Sequence, residues 1–351
     1  MKLRPLLGAL CALALAGCAP SASSGKTVLR VAGWGGAGDD SEAARIEREV
    51  YAEFERRHPG VEIQKENIPG SQDYVRKLLL SFIAGAEPDI IRLDASSAAV
   101  FIDNGALMDL TPLVEGENGI DLDDYFPNVT DIARRGKALY AIPIDFTPMV
   151  VYYNRRLFDE AGVPYPEPDW TWDDFLAKAK ALTREGQYGT TFTNWMPGWL
   201  PWVWSGGGDV LGASGKAVGT ADSDATVRAV AWLRDLVTVH KVAPSLSQMA
   251  AEGAAPFANA QAAMETSGHW NLVTLASAPK VKLEEVGIAP IPVARKGMPP
   301  TTVLYESGWS IGKNCRNPEL AWEFIRYYTS AEVQRKLQKT GIGVCARKDS
   351  A

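Results

Sequence analysis

Flat aromatic rings beside hydrogen-bonding side chains are the chemistry this sequence offers most plainly. Between Thr190 and Val210 the chain reads TTFTNWMPGWLPWVWSGGGDV, where prolines and glycines interrupt Trp195, Trp199, Trp202 and Trp204. Tryptophans outside helix or strand periodicity, next to Asn194, suit stacking on the apolar faces of a sugar. Asn194, Trp195 and Trp199 are therefore read as ligand residues, and Trp202 and Trp204 as core. Trp270, in Ser-Gly-His-Trp-Asn, and Trp309, in Glu-Ser-Gly-Trp-Ser, are read as ligand residues as well. The turn Gly33-Trp34-Gly35-Gly36-Ala37-Gly38 matches the spacing of a dinucleotide fingerprint. Asp39 and Asp40 follow it, however, at a helix start where pyrophosphate needs positive potential. Trp34, Gly35 and Gly36 fit a neutral, hydroxylated ligand better.

Other chemistries find little footing. No P-loop motif and no G-x-S-x-G elbow occurs, and the three histidines, His58, His240 and His269, are too scattered for a zinc site. No metal and no cofactor is expected. The carboxylate pairs Asp39/Asp40, Asp123/Asp124, Asp173/Asp174 and Glu284/Glu285 are sequence neighbours, which suits caps and turns better than an acid and base across a glycosidic bond. A net charge of -6 excludes a basic nucleic-acid face.

The elements that must position these residues follow an α/β pattern. Thr27 to Ala32 reads as a buried strand, and a helix from about Ser41 to Arg57 follows with Ile46, Val50 and Phe54 on one face. A strand Val61 to Lys65, a helix with Val75, Leu79 and Ile83 on one face, and a strand Asp89 to Leu93 complete βαβαβ, hence a mainly parallel sheet. Trp34 to Gly36 and Asp94 to Ser96 then lie beyond the carboxyl ends of its strands, where such sheets bind ligands. Lys137 to Phe158 joins a strand Ala138 to Ile142 to another, Met149 to Asn154, through Pro143 and Pro148. It reads as a stiff crossover between two bodies, with Asp145 and Thr147 facing the cleft. Further on, Thr171 and Asp174 have capping-box spacing, and a helix from about Ser223 to His240 is apolar on much of its circumference, which predicts deep burial. A second crossover is expected between Pro292 and Thr302, before a strand Leu304 to Lys313 and a helix Leu320 to Tyr328. With 351 residues, two domains are expected.

Met1 to Gly17 carries Lys2 and Arg4 ahead of an apolar run and ends in Leu15-Ala16-Gly17-Cys18. This resembles a bacterial lipoprotein signal, which implies cleavage before Cys18, lipidation of that cysteine and a flexible tether over 18–26. Cys315 and Cys345 are the cysteines that remain, open to pairing or to staying as buried thiols.

Taken in order, several short motifs resemble the extracellular solute-binding proteins of ABC importers, the sugar-binding group that includes maltose-binding protein. They are the lipobox; Pro88-Asp89-Ile90-Ile91; Ile142-Pro143 with Tyr152-Tyr153-Asn154-Arg155-Arg156-Leu157-Phe158; Ala161-Gly162-Val163-Pro164 before Thr171-Trp172-Asp173-Asp174-Phe175; Ala263-Met264 with Gly268-His269-Trp270; and Ala321-Trp322-Glu323-Phe324. The resemblance implies a two-lobe, periplasmic-binding-protein-like α/β fold of type II, with a hinge and a ligand cleft. Lobe I would hold 27–142 and 302–351, and lobe II 143–301. Ligand positions would fall on Trp34 to Gly36, Asp94 to Ser96, Asp145 to Thr147, Trp195, Trp199 and Trp270. Family members usually continue past the region matching Thr340 to Asp349, and often carry proline where Cys345 stands, which implies that lobe II is incomplete in this sequence. The implied function is that of a lipid-anchored, non-enzymatic monomer facing the periplasm or the cell exterior, which delivers a sugar or oligosaccharide to a membrane permease. A secreted carbohydrate-active enzyme and a surface carbohydrate adhesin are the alternatives.

Overall fold

The computed structural model describes residues 25–34, 41–68, 71–191, 195–213, 215–252, 255–341 and 343–351. Cys18, Gly35, Gly36 and Asn194 lie outside the described residues.

Strands β1 (Thr27–Trp34), β2 (Val61–Ile68) and β3 (Ile90–Asp94) pair in parallel, as the βαβαβ pattern predicts. Helix Glu42–Arg57 starts at Ser41, whose hydroxyl accepts the Ala44 N–H at 3.2 Å, and it buries Val50 and Phe54. Helix Ser71–Ile83 buries Tyr74 and Leu78, while Ile83 is 83% exposed. The inward face is thus one residue away from Val75, Leu79 and Ile83. The Tyr74 hydroxyl fixes that rotation by donating to the carbonyls of Arg92 (2.7 Å) and Ala32 (3.1 Å).

The crossover differs from the expected one. Strands β4 (Arg134–Arg135) and β5 (Ala138–Leu139) form a small separate hairpin, and Ile142–Pro148 is itself a strand, β6. With β10 (Leu304–Ile311) and β11 (Val344–Cys345), β6 completes a six-stranded sheet in the order β11-β6-β10-β3-β1-β2. Pro143 fits inside β6 because it lies opposite Gly308, where the register with β10 shifts, and such irregularities tolerate a residue without an N–H. The chain leaves this sheet after Pro148. Strand β7 (Val150–Asn154) then enters an antiparallel three-stranded sheet with β8 (Met264–Ser267) and β9 (Val286–Ala289). At the crossing the Met149 N–H donates to the Val303 carbonyl at 3.1 Å, and the Thr302 hydroxyl donates to the Met149 carbonyl at 2.6 Å. The outgoing and returning chains therefore run side by side.

Each sheet has its own core. Trp309, Phe54, Phe324 and Tyr328 belong to that of the six-stranded body; Phe158, Phe175, Trp202 and Met264 belong to the other. In the second body, helix Trp172–Leu182 opens with the expected capping box between Thr171 and Asp174, and the Thr171 hydroxyl holds the Asp174 carboxyl below its usual range. Trp172 stacks on Trp232 at 4.6 Å, a structural position. Helix Asp224–Thr238 is less buried than its composition predicts. It turns Ala229, Leu233 and Leu236 inward but leaves Val227 54% and Val230 49% exposed. The run from Trp195 onward is also more regular than its prolines suggest, because Met196–Ser205 is a helix that contains Pro201. Cys315 and Cys345 are free thiols, and the Cys345 Sγ donates to the Gln334 carbonyl. No helix of the described residues is long and apolar enough to cross a membrane.

Candidate functional site

The carboxyl ends of β1 and β3, the end of β6 and the start of β10 converge on one cavity, and two tryptophans of the second body close it. The cavity has a volume of about 380 Å³ and is lined by Trp34, Arg92, Asp94, Asp145, Thr147, Trp195, Trp270, Tyr305 and Ser307. Six of these, Trp34, Asp94, Asp145, Thr147, Trp195 and Trp270, are candidates from the sequence.

Three rings form its aromatic wall. Trp195, at the start of helix Met196–Ser205, meets Tyr305 edge to face at 4.7 Å and Trp270 at 5.5 Å, and Trp270 meets Tyr305 at 5.8 Å. Tyr305 belongs to β10 of the six-stranded sheet, whereas the two tryptophans belong to the other body, so the wall spans both. Opposite, Trp34 tilts on Tyr74 at 5.4 Å, and the Arg92 guanidinium lies 5.0 Å from the Trp34 ring centre.

The polar floor is tied together from within. The Asp145 carboxylate accepts from Arg92 Nη2 at 2.6 Å and from the Ser307 hydroxyl at 2.8 Å, and Arg92 Nη2 also reaches Ser307 Oγ at 2.9 Å. Burial works against the Arg92 charge, but Asp145 and more distant acidic groups more than restore it, so its pKa is raised. Asp94 turns inward on its own loop. Its Oδ1 accepts from the Ser96 hydroxyl at 2.7 Å, the Ser97 N–H at 2.8 Å and the Ser96 N–H at 3.0 Å, ahead of helix Ala98–Asp103. Ser96 joins the cavity only indirectly, through the Tyr305 hydroxyl at 3.1 Å. Behind the floor, Glu306 is buried, and desolvation together with Asp145 and Asp94 raises its pKa well above the usual carboxyl value, favouring the protonated form.

Two contacts span the bodies beside the cavity. The Thr147 hydroxyl accepts the His269 backbone N–H at 2.7 Å, and His269 Nδ1 lies 2.7 Å from the Gly341 carbonyl. Thr147 and His269 thus link β6 and the C-terminal segment to the turn after β8.

Two candidates are placed elsewhere. Trp199 is one helical turn beyond Trp195, a rise of about 6 Å along the axis. It faces a separate groove of about 640 Å³ with Val230, Leu233, Val237 and Leu246. Trp309 has 0% exposure and packs edge-on against Tyr328 at 5.3 Å and Phe324 at 6.1 Å. Tyr305, Ser307 and Trp309 share one face of β10, and by residue 309 that face has left the cavity and passed under helix Pro318–Tyr328. Arg92, Tyr305 and Ser307 were not singled out from the sequence. A lone arginine inside the apolar run Ile90-Ile91-Arg92-Leu93 does signal a partner for a half-buried charge, and the spacing of Tyr305 and Ser307 two apart signals a shared face.

Comparison with known proteins agrees with this architecture. The family described as bacterial extracellular solute-binding protein matches residues 37–335. An uncharacterized lipoprotein in the oleD 5' region of Streptomyces antibioticus is 32% identical over 184 residues, covering 51% of this chain and 39% of that protein. The arabinooligosaccharide-binding protein of Bacillus subtilis is 25% identical over 341 residues, covering 93% of this chain and 75% of that protein. The chain thus spans about two fifths of the first relative's length and three quarters of the second's. Among solved structures, the ABC substrate-binding protein Lmo0181 of Listeria monocytogenes, in complex with cycloalternan, superposes with a TM-score of 0.81 at 25% identity, covering 92% of this chain and 80% of that one. The two bodies are the lobes of a solute-binding fold, and the chain belongs to the bacterial extracellular solute-binding protein family.

Proposed function

We propose that this protein is the substrate-binding component of an ABC importer, holding a sugar or oligosaccharide between its lobes and delivering it to a membrane permease. The lobes divide at the paired crossing, with residues up to Pro148 and from Leu304 in lobe I and the intervening chain in lobe II. The observation that carries the reading is the aromatic wall of Trp195, Trp270 and Tyr305, drawn from both lobes over a polar floor. Aromatic faces stack on sugar C–H surfaces, while indole N–H groups and floor oxygens orient hydroxyls. The internal pairing of Asp145 with Arg92 and of Asp94 with its own loop leaves these carboxylates as orienting groups, which favours binding over hydrolysis. The sugar-binding names of the relatives support the same reading.

The test is a melting screen against a sugar panel with the sugars analysed afterwards. A ligand at ~100 times its dissociation constant adds roughly 2.7 kcal/mol. Stabilisation with the sugar unchanged is the expected result. Product formation would establish the enzyme alternative, and no stabilisation by any sugar would remove the reading. The anchor is proposed at Cys18, and Cys18→Ser is expected to move the protein from the membrane to the soluble fraction of fractionated cells.

A further inference from the structure

The turn 267–270 joins β8 to helix Asn271–Ala276 and delivers Trp270 to the aromatic wall. Within it, Gly268 is buried and lies against the indole of Trp270, two residues on. A Cβ built on Gly268 would stand closer than 3.0 Å to Cε3, Cζ3 and Cη2 of that ring, so the benzo half of the indole fills the space that any side chain at 268 would need. The backbone itself asks for no glycine here. Gly268 is not one of the glycines with positive φ, so room and not conformation sets the residue type. Nor does Gly268 line the cavity that Trp270 lines, because the ring stands in front of it.

The backbone around Gly268 is pinned from several sides. Its carbonyl accepts from the Tyr152 hydroxyl of β7 at 3.0 Å and from the Asn271 N–H at 3.1 Å. The next N–H, that of His269, is held by Thr147 of the other lobe, and the Asn271 side-chain amide donates to the Glu265 carboxyl at 3.2 Å. The indole is held more loosely. Trp270 is half-buried, and Trp195 and Tyr305 meet it edge to face at 5.5 and 5.8 Å. A side chain added at 268 therefore moves the ring and leaves the peptide in place, since shifting the peptide breaks several hydrogen bonds whereas turning a half-buried ring changes one rotamer.

Resting on the sugar-binding reading, we infer that Gly268 is the positioning residue of the aromatic wall. Its missing side chain lets the Trp270 indole fold back against the turn, which holds the ring steeply inclined to Trp195 and Tyr305 and keeps the cavity open in front of it. A larger residue at 268 displaces the ring from that seat, and the stacking face offered to a sugar leaves its plane. Residue 268 thus adjusts the site from behind, without touching the ligand.

A double-mutant cycle in the full chain tests this, with Trp270→Phe as the second change, because a phenyl ring ends short of Cζ3 and Cη2. The probes are arabinotriose, maltotriose and glucose, titrated calorimetrically, and the tightest binder of the unaltered protein is followed. Gly268→Ala is expected to weaken its binding at least ~10-fold when Trp270 is present and less than ~2-fold in the Trp270→Phe background. Near-UV circular dichroism, recorded without sugar, is expected to change on Gly268→Ala when Trp270 is present and to stay the same in the Trp270→Phe background, with the far-UV spectrum kept throughout. An equal loss of affinity in both backgrounds would overturn the proposal, since Gly268 would then act on the turn and not on the indole. So would an unchanged affinity and near-UV spectrum in Gly268→Ala alone. If Gly268→Ala fails to fold only when Trp270 is present, the seat at the ring is supported; failure in both backgrounds would overturn it. Failure of all three sugars to bind the unaltered protein would count against the sugar-binding reading instead, and the near-UV comparison still decides whether Gly268 seats the ring.

Discussion

Asp145 shows how far a residue's role depends on its neighbours. A carboxylate between two prolines reads as a free acceptor for sugar hydroxyls, but Arg92 and Ser307 already hold it. Both Arg92 and Asp145 are largely buried, with side-chain exposures of 15% and 21%. Asp145→Ala strands a cation and is expected to lower stability by ~3–5 kcal/mol, visible as a fall in the urea midpoint; a midpoint unchanged with only affinity lost would restore the direct ligand role. The tryptophans divide in the same way. Trp195→Ala and Trp270→Ala are expected to weaken sugar binding ~5–30-fold while the fold is kept, because each removes one stacking face. Trp309→Ala is expected to cost ~3–5 kcal/mol of stability instead, through the cavity it leaves against Tyr328 and Phe324. Parallel titrations and melts of the three variants separate these outcomes. Ser-Gly-Trp and Gly-His-Trp look alike as text, and depth below the surface is what separates Trp309 from Trp270. Depth is set by strand pairing far away in the chain, which no local motif carries.

Elements were more legible than sites wherever a local rule decides them. The Thr171/Asp174 capping box, the Ser41 and Ser223 caps and the three parallel strands all follow from spacing or side-chain type. Proline misled where tertiary context overrides its usual meaning, inside β6 at Pro143 and inside a helix at Pro201. The lobe II sheet also holds a titratable group. Glu265, in β8, is raised by burial from 4.5 to about 7, with Asn271 partly offsetting the effect through its amide. The folded state therefore binds its proton more tightly than the unfolded chain. The stabilisation is complete below pH 4.5, declines as pH rises and is lost above about 7. Calorimetric melts are expected to show a melting temperature that falls across this window, with a shallower fall in Glu265→Gln. An identical slope in the variant would assign the effect to other groups.

The whole molecule is two lobes joined by adjacent chains and, on the cleft side, by the contacts of His269 with Thr147 and with Gly341. Removing the ring bond of His269 to the Gly341 carbonyl takes away about 0.5–1.5 kcal/mol from the arrangement that contains it. His269→Ala is therefore expected to shift the ligand-free protein toward more open forms by ~2–10-fold, seen as a larger radius of gyration in solution scattering. A scattering curve identical to that of the unaltered protein would show that the His269 ring does not hold the lobes together, the backbone bond to Thr147 being kept in the variant. The paired crossing has one more consequence. Tyr305 stands two residues beyond Val303, which receives the Met149 N–H, so this wall of the cavity is mounted on the hinge strand itself. Any swing of the lobes must change the 4.7 Å and 5.8 Å spacings of Tyr305 from Trp195 and Trp270. The cleft thus carries its own optical gauge, and native tryptophan emission reports its opening and closing without an attached label.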